Sequence, residues 1–243
     1  MADVIAYGQA PLPARAAKII DLHASPRSRW VSLQIRGPTR RIRRHDLRRR
    51  MRVILKVGAP PPSMVQRYGR AADVEPAPWP FLTVARRSPD ALLLCPGAAH
   101  RTKRWPVDRF IALGQRWKGP VLVLGGPDEI PMARTIVDGV GPKAEALAER
   151  GFERTAVALK RGAVAVGGDT GLMHLCAAAG VRTVTLFGPT TAADGYWSSP
   201  GERLGHPLPC RPCSRHGRPD CPFGDHLCMD ALSVDTVWAA VAP

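Results

Sequence analysis

The block Gly167-Gly168-Asp169-Thr170-Gly171-Leu172-Met173-His174 gathers polar, small and titratable residues in the order that a ligand-binding turn requires. Glycines let the backbone turn tightly after a strand. Asp169 or Thr170 then stands where a side chain caps a helix, with Leu172, Leu175, Cys176 and Ala179 as its apolar face. The start of such a helix offers free N–H groups and the positive end of the dipole, an arrangement suited to phosphate. His174 falls in the first turn and adds a donor. A plain capped helix with a packed histidine accounts for the same residues.

A second set of candidates lies in Cys95-Pro96-Gly97-Ala98-Ala99-His100-Arg101-Thr102-Lys103-Arg104-Trp105-Pro106. Pro96 and Gly97 end a strand sharply, and Arg101, Lys103 and Arg104 follow as cations. Lysine is a compact point charge for a phosphate leaving group, although a solvated basic loop reads the same way. Trp105 is expected to pack rather than stack on a ligand. Phe187-Gly188-Pro189-Thr190 places a backbone N–H and a hydroxyl at another strand end. Asp128, after Val121-Leu122-Val123-Leu124-Gly125-Gly126, stands where a carboxylate accepts ribose hydroxyls in dinucleotide folds; a surface acid after a Gly-Gly turn is the plainer explanation.

These loops need strands and helices to hold them. Strands are expected at 91–95, 121–126, 163–167 and 183–188, with helices at 108–117, 130–138, 152–161 and 171–179 between them. Such short alternation means a parallel, doubly wound α/β sheet, with ligands at the carboxyl ends of the strands, where the candidate loops fall. Upstream, residues 18–24 read as a short buried strand. Residues 36–56 carry ten Lys and Arg against the single acid Asp46. Leu47, Met51 and Ile54 recur there at helical spacing, predicting an amphipathic helix. The proline-rich stretch 57–90 suits an exposed connection. Two units follow: an N-terminal part over 1–85 and a sheet domain over 86–243.

Composition narrows the partners. The chain of 243 residues holds 35 Lys and Arg against 20 Asp and Glu, a formal net charge of +15. That field favours nucleotides, nucleic acid or an anionic membrane surface. No run reaches the apolar length of a membrane span, and the opening residues lack a signal-peptide pattern, so a cytoplasmic location is expected. Cys95 and Cys176 sit in apolar contexts and read as core. Cys210, Cys213, Cys221 and Cys228 crowd the tail. Four thiolates so spaced suit a tetrahedral structural zinc, and packed free thiols fit equally, with a disulfide behind both.

The 95–106 loop, the 121–129 segment, the 167–190 block and the cysteine-rich tail together closely resemble glycosyltransferase family 9, the ADP-heptose:lipopolysaccharide heptosyltransferases. Order and spacing agree from about Leu92 onward, and 18–56 resembles the later part of the family's N-terminal domain. The resemblance implies a GT-B architecture: a C-terminal Rossmann-like domain for the ADP-sugar and an incomplete N-terminal Rossmann-like domain for the lipid A–Kdo inner-core acceptor. It implies Lys103 on the diphosphate, Asp169, Thr170, Gly171 and His174 on phosphates and sugar, Asp128 on the ribose, and Thr190 nearby. It also implies inverting displacement of ADP from ADP-heptose by an acceptor hydroxyl, without an essential metal, beside an anionic membrane face. The family's first strand and Gly-Asp loop, which carries the general base, are not matched. The catalytic base is therefore unassigned, with Asp21 and His23 the nearest candidates and a structural role the commoner one. A non-catalytic ADP-sugar binder is the alternative. A nucleic-acid binder using 36–56 ranks last, because no aromatic platform flanks the arginines.

Overall fold

A computed structural model describes residues 10–75, 80, 82, 89–148, 151–194 and 200–242. The opening segment 1–9 and most of the proline-rich stretch around 76–88 lie outside them.

The organising feature is a parallel sheet of strands β3 (Ala91–Cys95), β4 (Val121–Val123), β5 (Ala144–Ala146), β6 (Gly162–Gly168), β7 (Arg182–Leu186) and β8 (Glu202–Leu204), in the order β5-β4-β3-β6-β7-β8. Numbered from β3, this is the 3-2-1-4-5-6 order of the doubly wound nucleotide-binding fold. Its strand order reverses between β3 and β6, which pair in register from Leu92↔Val164 to Cys95↔Gly167. Helices cover both faces, so successive β3 residues enter different cores. Leu92 and Leu94 pack with Phe110, Leu113 and Ile136, while Leu93 and Cys95 pack with Met173 and Cys176. This explains the unbroken apolar run at 91–95.

The crossover helices are α4 (Val107–Arg116), α5 (Ile130–Val140), α6 (Gly151–Arg161) and α7 (Gly171–Ala178), followed by α8 (Leu227–Asp230) and α9 (Val234–Val241). The first four agree with the sequence reading to within a few residues, whereas α8 and α9 lie in a tail for which it gave no helix. β5 and β8 were not legible: each is three residues on the sheet's flank, with only partly buried or exposed side chains. Trp105 packs as expected, edge-on to Phe110 at 5.0 Å, with its indole N–H donating to Leu232 O at 2.8 Å.

The N-terminal part is smaller and differently built. Strands β1 (Ile19–Asp21) and β2 (Thr39–Arg41) pair in parallel around α1 (Pro26–Leu33). Ser25 and Ser28 form a capping box at the start of α1, with Pro26 in the first turn, where its missing N–H is not needed. Helix α2 (Asp46–Leu55) is present as the periodicity predicts. A further helix, α3 (Met64–Ala72), corrects the reading of 57–90 as a bare connection. Its capping box is Ser63 with Gln66, a signal hidden among prolines. The buried apolar cluster here is Ala24, Ile42 and Ala71, with Met64 against it.

The two parts are clasped by polar contacts. The Arg49 guanidinium donates to Arg215 O at 2.8 Å, Lys56 Nζ donates to Cys210 O at 2.8 Å, and Arg215 pairs with Asp46 at 3.0 Å.

Candidate functional site

At the switch point, where β3 and β6 end side by side, lies a cavity of about 270 Å³. One wall is the turn Asp169-Thr170-Gly171, another is the Gly97–Ala99 loop with Lys103, and the far wall holds Gly125 and Glu129. Gly168 makes the first two meet, since a Cβ there would lie 2.5 Å from Lys103 O. Gly97 does the same for the third, where a Cβ would strike the Glu129 side chain at 2.4 Å.

The centre of the site is a buried ion pair. Lys103 Nζ donates to Asp169 Oδ2 at 2.8 Å and to Asp169 O at 2.5 Å, with the two side chains 13% and 8% exposed. His174 Nε2 lies 3.8 Å from Asp169 Oδ1. Burial holds the His174 pKa below the ordinary histidine value, and nearby Lys103 adds to this while Asp169 opposes it. The ring is therefore neutral at neutral pH and presents a dipole rather than a charge.

Thr170 stands at the N-cap of α7, yet its side chain makes no capping bond, and its buried Oγ1 has no hydrogen-bond partner among the described residues. The expectation that Asp169 or Thr170 caps this helix by its side chain therefore fails. The Asp169 carboxylate is taken by Lys103, and the Thr170 hydroxyl is left for something else. Gly171 has open space where a Cβ would stand, so the helix start faces the cavity unobstructed. A cation, a hydroxyl and a bare helix N-terminus converging on one cleft match the needs of a diphosphate.

The cavity thus brings together Lys103, Asp169, Thr170 and Gly171. His174 sits behind, on Asp169. Asp128 is exposed and does not line the cavity; its neighbour Glu129 does, with Glu129 Oε2 accepting from Gly126 N–H at 2.6 Å. The chain turns through the short 3-10 segment Pro127–Glu129, which puts the second acid of the pair inward, a detail that periodicity does not carry. Thr190 is almost fully buried and its Oγ1 has no partner among the described residues, but it does not line the cavity; its carbonyl accepts from Arg211 at 3.1 Å. Of the other loop cations, Arg101 pairs with Asp220 and Arg104 clasps Ala98 O.

The cysteine-rich tail holds the Lys103 loop in place. Thr102 Oγ1 donates to Arg218 O at 2.7 Å and accepts from Arg218 N–H at 2.9 Å, while His226 Nε2 lies 2.8 Å from Thr102 O. All six cysteines are free thiols. Burial pushes the Cys228 thiol up to about 11, and also raises Cys213, whose thiol feels Cys210 and Cys221. The tail thiols are thus neighbours. Among the described residues, however, no group of three or more His, Cys, Asp or Glu is disposed as a metal ligand set. No step of the chemistry passes through a metal at these thiols. Cys95 and Cys176 are core: the hydrogen bond to Cys176, with burial, raises the Cys95 thiol far above its usual range.

Asp21 and His23 are elsewhere, beside α1 rather than in the switch-point cavity. Asp21 Oδ1 accepts from Ala24 N–H at 2.7 Å and His23 N–H at 3.1 Å, and Arg41 lies 3.5 Å from Oδ2. Burial alone would raise its pKa, but these hydrogen bonds, Ser28 and the Arg41 charge outweigh burial and hold it below the ordinary value. It is a turn-closing carboxylate with weak basicity. Among the described residues no helix is long and apolar enough to cross a membrane.

Known proteins agree with this architecture. Residues 44–219 match the sequence profile of glycosyltransferase family 9 (heptosyltransferase). Over 71 residues the chain is 38% identical to lipooligosaccharide heptosyltransferase 2 of Campylobacter jejuni, a match spanning 28% of this chain and 21% of that protein. It superposes on E. coli ADP-heptose lps heptosyltransferase II with a TM-score of 0.67 at 18% identity, covering 94% of this chain and 75% of the other. For E. coli heptosyltransferase WaaC with ADP-2-deoxy-2-fluoro heptose, the TM-score is 0.63 at 17% identity, covering 93% and 72%. With a parallel sheet of nucleotide-binding order, a cation and helix start at its switch point, and a profile match over most of its length, the chain belongs to glycosyltransferase family 9, the heptosyltransferases.

Proposed function

We propose that the switch-point cavity binds ADP-heptose and that the chain serves transfer of the heptose, with inversion, to a lipopolysaccharide inner-core acceptor at the anionic face of a membrane. The observation that carries this reading is the convergence of Lys103, the uncapped Thr170 hydroxyl and the open start of α7 on one cleft. The ADP-heptose analogue held by E. coli WaaC supports the same class of donor. The α- and β-phosphates would lie between Lys103 and the Thr170-Gly171 backbone, with Asp169 holding the lysine and His174 holding Asp169. Glu129, rather than Asp128, would accept the ribose hydroxyls.

As the bond to the anomeric carbon breaks, negative charge grows on the departing diphosphate. Lys103 and the α7 dipole meet that charge without reorganising, which is electrostatic stabilisation of the leaving group. The attacking hydroxyl needs a base. Among the described residues no carboxylate of the N-terminal part lines the cavity, which favours a second reading of this chain as a donor-binding protein that does not complete transfer.

Calorimetric titration with ADP-heptose, with UDP-glucose as control and Lys103→Ala as a second protein, tests the donor site. Saturable binding of the ADP-sugar alone, weakened at least tenfold by the substitution, is expected. A folded protein that gives no heat would sink the reading. Release of ADP in the presence of the acceptor then separates transfer from binding alone. A structural zinc on the tail thiols is a separate proposal, supported by their proximity and spacing rather than by ligand geometry. One zinc per purified chain that shields the thiols from a disulfide reagent would sustain it, and a metal-free chain with reactive tail thiols would end it.

A further inference from the structure

The attacking hydroxyl needs a proton acceptor that faces the donor cavity, and few groups lining that cavity can serve. Cys95 is a core thiol raised far above its usual range. Asp169 is held by Lys103 at 2.8 Å, and Glu129 stands at the far wall on the Gly126 N–H. His174 sits behind Asp169 and does not line the cavity. Among the described residues, the remaining titratable side chain of the lining is His216, which comes from the cysteine-rich tail.

The loop 214–218 carries this histidine, and each flank is tied to a different element. Buried Ser214 closes the loop on itself: its Oγ accepts from His216 N–H at 3.2 Å and Gly217 N–H at 2.9 Å, and donates to Gly217 O at 2.8 Å. Arg215 is tied to α2, with Arg49 donating to its carbonyl at 2.8 Å and Asp46 on its guanidinium at 3.0 Å. The Arg218 backbone is tied to Thr102, next to Lys103. Gly217, at φ +103°, lies against His100, whose ring a Cβ would meet at 3.0 Å. His216 is thus held where the donor site meets the N-terminal part, yet it is exposed at the mouth of the cavity. A group that must meet a reacting atom needs such a fixed mounting.

Its surroundings suit a base. Partial burial lowers the His216 pKa below the ordinary 6.5, and Arg49, Arg215 and Lys103 lower it further against the opposing Asp46. Arg50, Arg218 and His100 line the space on its other side, with no Asp or Glu among them. The ring is neutral at neutral pH and can accept a proton.

We propose that His216 is the general base of the transfer, taking the proton of the attacking hydroxyl. This deepens the transferase reading and rests on it, supplying from the tail a base that the N-terminal part does not place in the cavity. As the hydroxyl oxygen bonds to the anomeric carbon, its proton passes to the imidazole. The bond from that carbon to the diphosphate oxygen breaks, and its electron pair leaves with ADP. The imidazolium then gives its proton to water.

The test is ADP release by the full chain over about pH 5 to 8. Its substrates are ADP-heptose and detergent-dispersed lipid A–Kdo, bare or already carrying one heptose. On the acid side kcat/KM for the donor should fall about tenfold per pH unit, because protonation removes the accepting lone pair. The midpoint should lie below 6.5. His216→Gln should lower kcat about a hundredfold or more and abolish that limb, while ADP affinity and melting temperature stay parental. Arg215→Gln should move the limb to higher pH, since a cation leaves and Asp46 loses a partner. In the histidine-labelled parent, the NMR signal missing from His216→Gln should titrate at the same midpoint. The assignment is overturned if His216→Gln turns over like the parent or keeps the limb, or if Arg215→Gln leaves the limb in place. It is also overturned if His216→Gln binds ADP at least tenfold more weakly, which would make His216 a diphosphate contact. These outcomes leave transfer itself standing. A parent that binds ADP-heptose yet releases no ADP with either acceptor would overturn the transferase reading, and the base with it.

Discussion

At the scale of single residues, Gly168 and Gly171, which flank the Asp169-Thr170 turn, do different jobs. Gly168 has no room for a methyl group, because a Cβ would lie 2.5 Å from Lys103 O, which is backbone and cannot swing away. Gly171 has open space at the same position. Gly168→Ala is therefore expected to cost stability, about 1–3 kcal/mol as for overpacking generally, and to disturb Lys103 with it. Gly171→Ala should melt like the parent yet bind ADP more weakly, since its methyl would stand where the phosphate approaches the helix start. Thermal melts paired with ADP titrations separate the two, and a Gly171→Ala protein with parental ADP affinity would remove this helix start from the site.

Asp21 is the other residue whose environment has a measurable consequence. Its pKa is held below the ordinary 3.8, so the folded state binds this proton less readily than the unfolded chain. Stability from that carboxylate is complete above about pH 3.8 and is lost as pH falls through the lower folded value. Asp21→Asn should weaken the N-terminal part at pH 7, by about 1–3 kcal/mol if the hydrogen bonds to the charged oxygen are lost. It should also flatten the acid dependence of that part's melting. Equal acid sensitivity in the two proteins would show that Asp21 is not the group responsible.

At the scale of elements, what was legible in the sequence followed how completely each element is buried. The strand at 91–95 and helices α4 and α7 stood out because sheet and helix bury whole faces against each other, so their patterns are strong. β5 and β8 were lost because short flanking strands impose little pattern. α3 was lost because its Ser63 cap sits among prolines that read as a linker. Lys103, Asp169, Thr170 and Gly171, singled out from two separate loops of the sequence, line one cleft. That Glu129 rather than Asp128 lines the cavity depends on a single 3-10 turn that spacing cannot reveal. Nor does the sequence reveal that the tail pins the Lys103 loop, since Thr102 and Arg218 are 116 residues apart. Thr102→Val removes the hydroxyl that both donates to and accepts from the Arg218 backbone. It should lower stability by about 1–3 kcal/mol and weaken ADP binding through a loosened Lys103. The conservative Thr102→Ser should retain both properties. If Thr102→Val leaves ADP affinity untouched, the tail serves the fold and not the site.

At the scale of the whole molecule, the two parts are unequal in what holds them. The sheet domain has two extensive apolar cores, one on each face, whereas the N-terminal part has the Ala24–Ile42–Ala71 cluster and leaves Leu33, Leu47 and Ile54 exposed. The clasp between them is polar, through Arg49, Lys56 and Arg215. Polar links of this kind contribute modestly in water, so the parts should not melt as one. Calorimetry is expected to resolve a lower transition for the N-terminal part and a higher one for the sheet domain. Every residue assigned to the diphosphate belongs to the sheet domain, so ADP acts by mass action on that transition. At a hundredfold excess over its dissociation constant it adds about 2.7 kcal/mol, which for a domain of this size raises the midpoint by about 5–10 °C. The lower transition should stay in place. If ADP instead raised both together, the nucleotide would be bridging the two parts, and His216, which lines the cavity, would be the first side chain to substitute.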